Sequence, residues 1–145
     1  MSKLRGIKKR DTKGSRIDTH QGVQDVYFKQ TPLFSLQFLK VNKYCPKDCE
    51  PSERAIFFDA LYKRSCLTWE QIRQISHETL GYEILKNEKI NDNLRKNAKM
   101  ELAPDAPIKI FRAKKDTKMR IVGHREGRIF YLLYLDRKGD LYSHD

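Results

Sequence analysis

Nothing in this chain restricts its fold more than the stretch "KMRIVGHREGRIFYLLYLD", Lys118 to Asp136. Two apolar runs flank a turn at Gly127, and a run as dense as Ile129 to Leu135 belongs near the centre of a sheet. A three-residue loop, Arg125-Glu126-Gly127, is preferred to a two-residue Glu126-Gly127 loop, because only the glycine then needs a positive φ. That loop pairs His124 with Arg128, Val122 with Phe130 and Arg120 with Leu132. One face of the hairpin becomes Met119, Ile121, Ile129, Tyr131, Leu133 and Leu135, ready to pack on helices. The other interleaves Arg120, His124 and Arg128 with Phe130 and Tyr134.

The rest of the chain supplies those helices. "FSLQFLKV", Phe34 to Val41, alternates as a strand does. "CPKDCEPS" is a loop. In "SERAIFFDALYKRS", Ile56, Phe57, Ala60 and Leu61 share one helical stripe, with Ser52 as the expected cap. "LTWEQIRQISHETLG" opens a second helix at Thr68, where Gln71 stands three residues on as a capping-box partner. Trp69 and Ile72 face inward, Gly81 suits the C-terminal end, and His77 reads as a surface or helix-end residue. Tyr82 to Ala103 is polar, with Ile90, Leu94, Ala98 and Leu102 at the spacing of a short helix. Three strands then finish the chain: Ile108 to Arg112, Lys118 to His124 and Arg128 to Asp136. The expected fold is α+β: an antiparallel sheet with a two-helix hairpin packed on one face, residues 31–145 forming one domain. Residues 1–30, with eight basic and three acidic residues and few apolar anchors, read as a disordered basic arm.

Charge narrows the partners. Thirty Lys and Arg against 19 Asp and Glu give a net +11, which points to a polyanionic partner: RNA, DNA, a ribosome, an acidic protein or an anionic membrane face. No apolar run approaches the roughly 20 residues of a membrane span, so no membrane partner is expected. Three cysteines, an odd number, suit a reducing cytoplasm. Cys45 and Cys49 have a spacing that zinc sites allow, but further ligands are wanting, so free thiols and no metal or cofactor are expected. There is no phosphate-cradling glycine loop, no Ser-His-Asp set and no dinucleotide fingerprint, which argues against an NTPase or a serine hydrolase.

Cations among aromatics offer phosphate contacts together with surfaces for base stacking. The nucleic-acid-facing set on this reasoning is Arg112, Lys118, Arg125, Phe130 and Tyr134, with Lys8, Lys9 and Arg10 of the arm. Strand, two-helix hairpin and three antiparallel strands, in a small basic chain with these residue types near its end, resemble the RelE/ParE toxin superfamily, including YoeB- and HigB-like ribonucleases. The resemblance runs from about Phe34 to His144; the arm and the polar stretch from Tyr82 to Ala103 are additions to it. It implies a metal-independent endoribonuclease of toxin–antitoxin type acting on mRNA, commonly in the ribosome, with an antitoxin partner covering the basic face. Carried over by position, the catalytic candidates are Arg120, His124, Arg128, Tyr142 and His144. An arginine fork would stabilise the pentavalent phosphate, a histidine would exchange protons, and Tyr142 would stack on a base or donate a proton.

Two other classes compete. "LYKRSCLTWEQIRQIS" also reads as a DNA-binding helix-turn-helix offering Glu70, Gln71, Arg73 and Gln74 to base edges. A non-catalytic module that captures an acidic partner through its basic face would need the same charge.

Overall fold

The computed structural model describes residues 26–40, 43–86 and 92–142. Lys8, Lys9, Arg10, most of the expected arm and His144 lie outside the described residues. The elements are β1 (Leu33–Ser35), α1 (Pro51–Ser65), α2 (Trp69–Gln74), β2 (Tyr82–Ile84), α3 (Asp92–Lys96), β3 (Lys109–Arg112), β4 (Arg120–Glu126) and β5 (Ile129–Asp136). They form an α+β fold around one five-stranded sheet in the order β1-β5-β4-β3-β2.

The sheet is mixed, where an antiparallel one was expected. β1 runs parallel to β5, with Phe34 opposite Phe130, while the other pairings are antiparallel. A parallel neighbour needs a long crossover, and here nearly the whole fold intervenes between the two strands. β1 is also shorter than its alternation promised. After Ser35 the chain turns, with the Leu39 N–H donating to Leu36 O, and Lys40 N–H then joins Leu133 O. The last residues of the expected arm belong to the fold: Phe28 packs into the core, and its carbonyl and that of Gln30 accept from Glu70 and Trp69 N–H.

The hairpin register also differs from expectation. Its loop is Gly127-Arg128, so that Glu126 pairs with Ile129, Arg125 with Phe130 and His124 with Tyr131. Gly127 takes φ +64° at the first central position, the pattern of a type II′ turn, and no other turn residue needs a left-handed conformation. A shift of one residue moves every side chain to the opposite face. Phe130 and Leu132 therefore join the helix side, not the side of Arg120. A bulge then restores phase: Leu133 is the extra residue, after which Val122 faces Tyr134, Ile121 faces Leu135 and Arg120 faces Asp136. Gly123 makes room for Phe130, since a Cβ there would lie 2.5 Å from its ring and 2.3 Å from Tyr131 O.

Both faces of the sheet are covered. On the helix face, Phe57, Ala60, Trp69 and Ile72 pack against Phe111, Ile121, Phe130, Leu132 and Leu135. On the far face, Ile110, Val122, Leu133 and Tyr134 are roofed by Leu94, Met100, Ile108 and Tyr142. The half-open basic face inferred from sequence is thus a second core, because the polar stretch after β2 carries just enough apolar residues to cover it. α2 has the expected Thr68–Gln71 capping box, but α1 is capped by Glu50 with Glu53, not by Ser52. α2 ends at Gln74 rather than near Gly81, and α3 spans five residues. Among the described residues no helix is long and apolar enough to cross a membrane.

Candidate active site

Chemistry concentrates at one end of the far face. Arg112 closes β3 and Arg120 opens β4, and the two are direct cross-strand partners. Like charges placed opposite each other cost stability, so the pair is suited to an anion. Arg120 is held in place by Thr117 O at 2.6 Å and Met119 O at 3.2 Å. One row away, β2 sets Glu83 opposite Ile110. The loop between α2 and β2 brings in His77, whose Nε2 lies 3.8 Å from Glu83 Oε2, with both side chains close to half exposed. His77, Glu83, Ile110, Arg112 and Arg120 line a crevice too tight to admit a water molecule.

Tyr142 completes the group from the C-terminal side. The Arg120 guanidinium lies against its hydroxyl and Glu83 is within its field. Burial, reinforced by Glu83 and opposed by Arg120, pushes Tyr142 up to about 12, so it keeps its proton at neutral pH while its oxygen accepts from Arg120. Its position follows from Asp136, whose carboxylate accepts the N–H groups of Gly139 (3.0 Å), Asp140 (3.2 Å) and Leu141 (3.0 Å). Gly139, at φ +70°, allows that turn to close beneath Lys118. Burial raises the Asp136 pKa while the three N–H bonds pull it down; burial is the stronger.

The loop carrying His77 is held as firmly. Gly81 N–H bonds to Ser76 O, and a Cβ at Gly81 would meet Ile75 O at 2.0 Å. Arg64, fully buried, donates to Thr79 O, Leu80 O and Arg112 O, so a single side chain ties the loop to the end of β3.

The other residues nominated from sequence sit elsewhere. His124 is buried, its Nδ1 2.8 Å from Pro107 O and its Nε2 3.4 Å from Glu126 Oε2. Arg128 donates to Thr31 O and Oγ1 and so fastens the segment before β1. Arg125 lies over the Trp69 ring at 5.0 Å. Phe130 and Tyr134 are fully buried, the latter donating to Leu94 O, so neither ring is presented to a base. Lys118 is exposed beside Gly139. Arg112, Arg120 and Tyr142 are the nominated residues brought together. His77 and Glu83 were missed: β2 has three residues, too few for alternation to register, and His77 lies past the helix end, where no periodicity marks a side chain.

The helix-turn-helix reading meets a geometric obstacle. α2 has six residues, about 9 Å of helix, and its N-terminal turn is occupied by the Phe28 and Gln30 carbonyls. Glu70 pairs with Lys29 and Arg73 lies over Phe28. Cys45, Cys49 and Cys66 are free thiols, and among the described residues no three His, Cys, Asp or Glu side chains gather as a metal site. Comparisons with protein-family models, curated proteins and solved structures find no match to the chain.

Proposed function

We propose that this chain is an endoribonuclease that cleaves single-stranded RNA by transesterification at the crevice. The observation that carries the reading is the convergence of His77, Glu83, Arg112, Arg120 and Tyr142 on one spot. Glu83, as carboxylate, takes the proton of a 2′-hydroxyl, whose oxygen attacks the adjacent phosphorus. Arg112 and Arg120 neutralise the charge that develops on the phosphoryl oxygens, a task their planar forks match. The buried Tyr142 hydroxyl lies behind Arg120 and helps to set its fork. His77 gives a proton to the departing 5′-oxygen. The products are a 2′,3′-cyclic phosphate and a 5′-hydroxyl, and the steps use no metal ion. Because the crevice is narrow, the phosphate lies across its mouth. The reading extends to mRNA as substrate and the cytoplasm as the place of action, supported by the +11 charge and the free thiols. In a toxin–antitoxin setting an inhibitory partner would cover the crevice.

The test uses purified protein, an oligoribonucleotide and a chelator. Cleavage leaving cyclic phosphate ends is expected, with kcat reduced about 10²–10⁴-fold in Glu83→Gln and in His77→Asn. Both side chains are exposed enough for these variants to fold as the wild type does. Glu83→Gln should bind RNA at least as tightly, since it removes a negative charge beside the phosphate. Cleavage that survives both substitutions, or no cleavage by the wild type, overturns the reading. Expressing wild type and variants in a bacterium and mapping new RNA ends tests the mRNA target.

A further inference from the structure

We infer that single-stranded RNA held at the crevice continues over the β3–β4 end of the sheet into a second recess on the helix face, and from there onto Phe58 and Tyr62. This rests on the ribonuclease reading and extends it from the scissile phosphate to the path of the strand. The recess, of about 460 Å³, lies between α1, the His77 loop and the residues after β3. Its lining combines buried or half-buried Ile56, Ala60 and Leu80 with exposed Lys63, Lys114 and Lys115. Asp59 also lines it, but is engaged by Lys63 at 3.0 Å. An apolar floor beside the ammonium groups of Lys114 and Lys115 fits a base with a flanking phosphate.

Elsewhere on its surface, α1 turns two large aromatics to solvent. Phe58 is 72% and Tyr62 62% exposed, and their i, i+4 spacing puts them on one stripe. Exposed rings among cations are how proteins hold single strands without reading sequence. Continuity with the crevice is built into the chain. Arg112 lines the crevice and Ala113, Lys114 and Lys115, which follow it, line the recess; His77 lines the first and Thr79 and Leu80 the second. Arg64 ties these two walls together through Thr79 O, Leu80 O and Arg112 O. An acidic peptide would satisfy the lysines too, but it would not explain why the recess borders a phosphate-suited crevice.

The experiment compares a dinucleoside monophosphate with an RNA of about twelve nucleotides, within the span such surfaces bind. For Phe58→Ala/Tyr62→Ala the KM of the longer RNA should rise by about tenfold or more, at roughly 1–3 kcal/mol per stacked base, while the dinucleotide is cleaved as before. Lys114→Ala/Lys115→Ala should lower the salt dependence of long-RNA binding by a slope of about 1.4, near 0.7 per lost phosphate contact on a single strand. If long-RNA kinetics are unchanged in both pairs while His77→Asn stops cleavage, the path is overturned and the crevice stands. If neither RNA is cleaved, the crevice reading falls and fluorescence anisotropy of the labelled longer RNA decides. Weaker binding by the aromatic variant then supports the path, and unchanged binding overturns it. A labelled polyglutamate peptide that outcompetes the RNA and is lost with the same substitutions overturns it in favour of a protein partner.

Discussion

Arg64 carries a charge in the interior, with Phe111 at 4.5 Å beneath its guanidinium and four carbonyls around it: Ala60, Thr79, Leu80 and Arg112. Burial lowers its pKa to about 10, which leaves it charged at neutral pH. The carbonyls offset the desolvation of the cation, and the cation satisfies carbonyls that would otherwise be stranded. Arg64→Met should therefore cost about 3–5 kcal/mol in urea unfolding. Arg64→Lys should recover part of that, since one ammonium cannot span four acceptors. If the lysine variant remains folded it should still weaken cleavage on the proposed reading, because the acceptors it releases hold the loop that carries His77 and the end of β3 that carries Arg112. Gly123→Ala should cost about 1–3 kcal/mol by overpacking, read as a lowered thermal midpoint, with the Phe130 ring displaced. Little of this was legible in the sequence. A buried arginine, a lone histidine and a single glutamate leave no pattern, whereas Arg112 and Arg120 could be nominated as cations on apolar runs that had to be strands, and Tyr142 only through the family resemblance.

Elements whose geometry is settled locally were the readable ones. Thr68 and Gln71 announce the start of α2 through a bond each makes to the other's backbone, and Thr68→Ala should cost about 1 kcal/mol. The hairpin could be placed but not registered. Its register depends on where Phe130 is seated beneath Gly123 and on the bulge at Leu133, both decided by packing against α1 and α2. β2 and the parallel β1 are short segments that become strands only because a longer neighbour offers them an edge. At the turn after β5, the sign of a pH effect follows from Asp136. Its folded pKa is raised, so its contribution to stability is greatest below the ordinary aspartate value and is lost as pH rises through the folded one. Wild type should gain on Asp136→Asn between pH 7 and about pH 4.5 in denaturant titrations. A gap that narrows instead would mean the fold prefers the carboxylate. At neutral pH the asparagine should also loosen Tyr142, since an amide cannot accept from all three N–H groups.

At the scale of the molecule, two cores share one sheet. Leu94→Ala, which empties the far core, should cost about 2–5 kcal/mol; Trp69 fluorescence would report whether the helix-side core persists. The net charge of the chain was plain from composition, but its distribution was not. Composition could not show that the far face is roofed and that its cations crowd the rim at one end, because the roof comes from a stretch whose polarity hides its few apolar anchors. The strand order has a further consequence for how such a protein is made. Among the described strands β5, flanked by β1 and β4, comes latest in the chain, and Tyr142 follows it. Folding from the first-made end, as nascent chains commonly do, cannot complete this sheet, since β1 has no neighbour until β5 emerges. Tyr142 can join Arg120 and Glu83 only once β5 is in place, so the proposed site is completed late in folding.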